Sequence, residues 1–236
     1  LGLTLANVVS FQTLFVICGT LGIIAFLISL NIRYKKIDTS PDKTRPARVD
    51  IIEKTAINPS VLLFFITLTF GGIATFLPIY ALEKNVAGIQ IYFVTYALFL
   101  MISRVFAGKI YDLKGDLFVI PPGTILIITA MLLLSWLPNT AVLIIAAALY
   151  GFGFGTVQPA LQAWAVEKAP SNRKGMANAT FFSFFDLGVG VGAILFGQIA
   201  HLFNYGLIYI ISACSVSITL LYYLFLVFTK RRVGNN

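Results

Sequence analysis

Asp186 is the one acidic residue standing well inside an apolar run of this 236-residue chain, about ten residues from the start of that run. An ionised carboxylate is costly there unless it faces a polar cavity or a partner, and a carboxyl so placed can take up and release a proton. Two readings are open: a group coupling a proton or a substrate, and a hydrogen-bonded carboxyl that only fixes helix packing. Gln158 and Gln162 are four apart and so share one helix face. Tyr150 stands in the same apolar run, and Phe70, Thr75, Phe76, Tyr80, Tyr92 and Tyr96 stand in two earlier runs. On a cavity wall this mixture would suit an amphipathic solute of modest polarity, cationic if Asp186 contributes. As lipid-facing or interfacial aromatics, the same rings would only pack. Arg104, Gly108, Asp112 and Gly115 mark a Gly, Asp, Gly spacing at a short basic turn, where Asp112 can meet a helix N-terminus or Arg104.

Other chemistries have few players. The single His201 falls at the end of an apolar run and is assigned no role. Cys18 and Cys214 both lie inside apolar runs without metal-ligand spacing and read as packing residues. No nucleophile has a neighbouring base, so neither an enzyme, a metal site nor a cofactor is expected. Gly151, Gly153 and Gly155 form no nucleotide loop, because they lie within an apolar run with no strand before them.

The chain is 58% hydrophobic and only 11% charged, which makes a bilayer the implied solvent. Seven stretches are long enough to span about 30 Å of hydrocarbon: Ser10 to Asn31, Pro59 to Leu82, Gln90 to Ala107, Leu117 to Leu137, Ala141 to Ala165, Met176 to Ala200, and Gly206 to Thr229. They are rich in Phe, Leu and Ile without strand-like alternation, and backbone in lipid must be satisfied within each segment, so all are expected to be helices. Sixteen of the seventeen Lys and Arg residues fall on or around alternate connections or in the tail, with Arg104 at the end of the third span, and only Lys84 falls on the other side. This places the connections after spans one, three and five and the C-terminus in the cytoplasm. The net charge of +8 therefore points to anionic lipid and topology and not to nucleic acid. Pro41, Pro46 and mixed charges make the stretch from Arg33 to Asn58 a linker. Within it Ile51, Ile52 and Ala56 suit either a short helix at the membrane surface or an unstructured loop. Gly188, Gly190, Gly192 and Gly197, like the glycines of the fifth span, let helices approach closely, and Pro159 favours a kink; hinge roles for Gly151, Gly155, Pro159, Gly188 and Gly192 are the alternative. Leu1 to Val9 is already apolar and shows no basic leader, so the chain reads as beginning inside a helix of a longer protein.

The third-span segment, with Gly108, Asp112 and Gly115, resembles the signature loop of the major facilitator superfamily, although Leu113 and Asp116 stand where that family often has basic residues. Pro170 to Ala177 resembles the loop before the eleventh helix of drug-efflux-like members, and Asp186-Leu187-Gly188 followed by Gly190, Gly192 and Gly197 resembles the helix after it. The resemblance implies an all-α membrane protein of about seven transmembrane helices, a six-helix bundle plus one preceding helix. It divides the chain into a remnant of an N-terminal bundle over 1–31, a cytoplasmic linker over 32–57, a C-terminal bundle over 58–229 and a cytoplasmic tail over 230–236. It further implies a plasma-membrane secondary transporter of a small solute, proton-coupled and exporting by alternating access. Its partners would be the solute, protons, lipid and the missing N-terminal helices of the same protein, with no cofactor.

A seven-helix receptor is the alternative from another class. Against it, the last span has no Lys for a retinal Schiff base, no pair of external cysteines is available, and a long linker after one span fits poorly. The topology is testable at the linker. Arg45→Cys, in a background carrying Cys18→Ser and Cys214→Ser, is expected to resist a membrane-impermeant maleimide in intact cells. Labelling from outside overturns the assignment.

Overall fold

The structure, a computed structural model, describes residues 11–30 and 52–233. The basic cluster from Arg33 to Arg48, Ile51 and the last three tail residues lie outside the described residues, as does Leu1 to Val9. Among the described residues there are seven α-helices: α1 (Phe11–Leu30), α2 (Ile57–Glu83), α3 (Ile89–Lys114), α4 (Ile120–Trp136), α5 (Thr140–Glu167), α6 (Lys174–Leu202) and α7 (Tyr205–Val233). Among the described residues there is no strand, and six of the helices are long and apolar enough to cross a membrane; α1 is a shorter apolar helix. The chain divides into two units, 1–48 and 49–236.

In the first unit α1 is apolar around its whole circumference, with Phe15, Leu21, Phe26 and Leu30 all exposed. Within it the Thr20 hydroxyl donates to the Ile17 carbonyl at 2.8 Å, which satisfies that hydroxyl inside the helix. Such a helix is suited to lipid or to other helices and not to water.

The second unit is a bundle of α2 to α7. α2 packs between α6 and α7, and α5 packs between α3 and α4; contacts of α4 with α7 and of α2 with α5 join the two groups. The first helix of each consecutive triple therefore sits between the second and third helices of the other triple. α2 and α5 bury about half of their residues, whereas α3 buries only Tyr92, Ser103 and Ala107.

Small residues set the spacing. A Cβ on Gly155 would stand 2.8 Å from the Leu100 carbonyl oxygen of α3, and Gly151 meets the Tyr96 backbone one turn earlier. On the opposite side of α5, a Cβ on Gly153 would stand 2.6 Å from the Gly123 carbonyl oxygen of α4. The Gly-x-Gly-x-Gly run thus lets one helix touch two neighbours through bare backbone. Gly188 and Gly192 do the same for α6 against α2, where a Cβ on Gly192 would stand 2.5 Å from the Leu68 carbonyl oxygen. Hydroxyls add cross-helix bonds: Tyr150 and Thr69 share one at 2.8 Å, Ser215 donates to the Phe65 carbonyl at 2.9 Å, and Tyr80 donates to the Ser135 carbonyl at 2.9 Å.

Three expectations need correction. α3 does not end near Ala107 but continues to Lys114, because Lys109, Asp112 and Lys114 are compatible with a solvated last helical turn and nothing breaks the helix before Gly115. Gly108 and Asp112 consequently lie on the helix, and only Gly115, at φ +81°, makes the turn, followed by a 3-10 turn at Asp116–Phe118. Cys214 is exposed on α7 and packs no interior. Residues 54–56 form a 3-10 turn with Ala56 fully buried, in place of a surface helix.

Glu53, just before that turn, is 5% exposed and pins it to α6: its carboxylate pairs with the Arg173 side chain at 2.5 Å and its backbone N–H donates to the Thr180 hydroxyl at 3.0 Å. Glu53→Gln is expected to lower the unfolding free energy by about 1–3 kcal/mol, read as a drop in thermal stability in detergent. Gly192→Ala, which drives α6 off the α2 backbone, is expected to lose about 1–3 kcal/mol. Gly197→Ala meets only Phe76 at 3.5 Å and is the control; equal losses at both positions would refute the close α2–α6 approach.

Candidate functional site

A cavity of about 640 Å³ opens on the face of the bundle where α2, α3, α5 and α6 come together. Two helical rows at steps of four supply most of its wall. Tyr96, Leu100, Arg104 and Gly108 run along α3, and Phe154, Gln158 and Gln162 continue the row from Tyr150 along α5. Phe70 of α2 and Phe182 and Phe185 of α6 close the sides.

The wall has an aromatic end and a polar end. Phe154 stacks on Phe70 with ring centroids 6.1 Å apart and on Tyr150 at 5.8 Å, and it meets Phe185 edge-on at 6.3 Å. Tyr96 leans on Tyr150 at 5.7 Å. One and two turns further along α3 and α5, Arg104 donates to the Gln158 side-chain oxygen at 3.2 Å, and the Gln162 amide donates to the Asn178 side-chain oxygen at 2.8 Å. Gln158 is only 8% exposed, so packing holds the acceptor that orients the guanidinium. Pro159 lines the same cavity, and its missing N–H leaves the Gly155 carbonyl without its helical donor.

Below this cavity lies a smaller one of about 130 Å³, lined by Gly108, Tyr111, Asp112, Pro159 and Glu167 among others. Tyr111 donates to the Glu167 carboxylate at 3.1 Å and ties the C-terminal ends of α3 and α5 together. Asp112 is not engaged by Arg104: eight residues separate them, about 12 Å of helix at 1.5 Å per residue, and Arg104 bonds Gln158 instead.

The structure therefore gathers Tyr96, Gln158, Gln162, Pro159, Arg104 and Gly108 around one space. Tyr150 sits one layer behind, fully buried with its hydroxyl on Thr69. Tyr92 is fully buried against Phe93. Tyr80 is buried with Tyr205 and Tyr209, Phe76 packs on Tyr205, and Thr75 is exposed on α2; none of these four lines the cavity. Asp186 is exposed on α6 next to the lining residue Phe185 and on the same helical side as Phe182. No hydrogen bond or ion pair among the described residues engages it, so nothing in the unit uses it to fix packing. Phe154, Phe182 and Phe185 were not anticipated from sequence, yet Phe154 falls midway between Tyr150 and Gln158 at the same spacing and was readable there. Arg104, anticipated only as a turn residue, is instead a wall residue.

The model of the Major Facilitator Superfamily matches residues 1–193 and, in a second and overlapping match, residues 143–236. An uncharacterized transporter of this type from Methanocaldococcus jannaschii is 27% identical over 224 residues, which is 90% of this chain and 58% of the relative. Uncharacterized transporters of the same type from Burkholderia mallei and Burkholderia pseudomallei are 31% identical over 150 residues, covering 63% of this chain and 36% of each relative. The chain thus spans little more than half the length of the first relative and about a third of the others. The match of family, helix lengths and bundle leaves the receptor alternative unsupported, and it identifies the chain as a multi-pass membrane protein that belongs to the Major Facilitator Superfamily of transporters.

Proposed function

We propose that this chain supplies the C-terminal half, and the end of the N-terminal half, of a proton-coupled secondary transporter that exports a small solute across the plasma membrane. Residues 1–31 belong to the first bundle, 32–57 link the halves in the cytoplasm, 58–229 form the second bundle and 230–236 are a cytoplasmic tail. The observation that carries this reading is the open cavity of about 640 Å³ on the face shared by α2, α3, α5 and α6. A groove of that size, walled by aromatic rings and side-chain amides on membrane-length helices, suits a solute site closed from the other side by a second bundle.

Transport proceeds by rocking of the two bundles about the bound solute, so that the groove faces each side in turn. The glycine contacts keep α2 to α7 moving as one body. Efflux is the direction supported by the resemblance of residues 170–177 and 186–197 to drug-efflux-like members. Asp186 is the proton carrier: it stands about 18 Å along α6 at 1.5 Å per residue, on an exposed face, with no cation paired to it among the described residues. An acidic group at such depth is expected to serve a proton or ion pathway.

The test uses the complete protein in proteoliposomes loaded with a pH-sensitive dye. Solute addition is expected to move protons, and an imposed pH gradient to drive solute accumulation. Asp186→Asn cannot titrate and is expected to bring gradient-driven accumulation down to that of empty liposomes while solute exchange at equal pH persists. Unchanged proton coupling in the variant removes the role of Asp186, and solute movement absent in the wild type removes the transport reading.

A further inference from the structure

We propose that the solute carries an anionic group of the carboxylate kind, bound by Arg104, with an apolar body against the phenylalanine wall. This deepens the transport reading and rests on it. Among the described residues Arg104 is the only side chain lining the cavity that is charged at neutral pH, and no Asp or Glu of theirs lines it. No ion pair with Arg104 occurs among the described residues, and the one side-chain hydrogen bond it makes there is donated to the neutral Gln158.

That arrangement has a direction. A guanidinium within a membrane-spanning helix is costly until an anion compensates it, and its planar fork of five donors matches a carboxylate in two parallel bonds. Gln158 occupies one Nη2 donor and leaves others for a ligand. Because Gln158 is itself buried, it fixes the fork without neutralising it, which is the office of a positioning residue. Aromatic faces alone would favour a cation, but a cation among Phe70, Phe154 and Phe185 would share one low-dielectric space with the Arg104 charge and be repelled. The acidic group expected to draw a cation, Asp186, is not a lining residue. The cavity therefore selects an amphipathic organic anion, and not the cation that a contribution from Asp186 would have implied.

The test compares ligands of one body and three charges on the complete protein in detergent: 3-phenylpropionate, 3-phenylpropionamide and 3-phenylpropylamine, with indole-3-acetate and its amide as a second series. The carboxylates are expected to raise the thermal midpoint of the wild type with saturable dependence, and the amides and the amine are not. Arg104→Gln is expected to abolish that shift. Arg104→Lys, which keeps the charge and loses the fork, is expected to retain the preference for carboxylates with affinity weakened about tenfold. Selectivity in the wild type is read without any variant, so a misfolded Arg104→Gln leaves the proposal exposed to refutation. An amine that stabilises more than its carboxylate, no carboxylate outperforming its amide, or carboxylate binding that survives Arg104→Gln overturns it; the last two are also the results expected if a carboxylate elsewhere in the protein pairs with Arg104. Carboxylates that bind without entering proteoliposomes refute transport and leave the anion site standing. Neutral or cationic probes that move protons while carboxylates do not refute the anion site and leave transport standing.

Discussion

Contact between bare helix backbones is the constraint from which the rest of the six-helix unit follows. Lipid tails are as apolar as the side chains, so helices in a bilayer gain little by burying Leu against Leu and must gain by packing closely and by hydrogen bonding. Glycines at 151, 153 and 155 bring α5 against α3 on one side and α4 on the other, and glycines at 188 and 192 bring α6 against α2. With backbone at that distance, small shifts of one helix would collide with the next. The unit is stiff along these seams, and the aromatic cluster around Tyr150 and Phe154 is held by them at the base of the cavity. Wide wall residues can then face open space because narrow residues a turn away make the contacts.

Much of this was readable from the sequence for reasons of length and composition. A span must be apolar over about 20 residues whatever surrounds it, so seven helices could be placed within a few residues of where they stand. The end of α3 was misplaced because hydropathy marks where lipid ends, and a helix ends only where its backbone finds a reason to. Lys109, Asp112 and Lys114 end the apolar run without ending the helix, and Gly115 alone supplies the break.

The cavity was readable in part. Rows at steps of four identify which residues share a face, and so Gln158 and Gln162 could be paired, but no periodicity says which face is inward. Tyr80, Tyr92 and Tyr150 look like Tyr96 in the sequence, yet only Tyr96 reaches the cavity, since the choice depends on which neighbour each helix turns toward. Glu53 was invisible for a different reason: its partners Arg173 and Thr180 lie at least 120 residues away in the chain, and an acidic residue near the end of a charged linker has no local sign of burial.

The outer surface of the unit completes the argument about what closes the cavity. Along α7 the exposed row is Ile210, Cys214, Ile218, Leu221, Phe225 and Phe228, and along α4 the large exposed side chains are Ile125, Leu132 and Trp136. These stripes ask nothing of their surroundings and suit lipid. The face carrying Arg104 on α3 and Asp186 on α6 is different, because each holds an exposed charge that no partner among the described residues compensates. Hydrocarbon cannot supply compensation without a large cost. That face consequently has to meet water, a solute or another part of the protein, and α3 and α6, which bury few of their own residues within the unit, are the helices left free to do so.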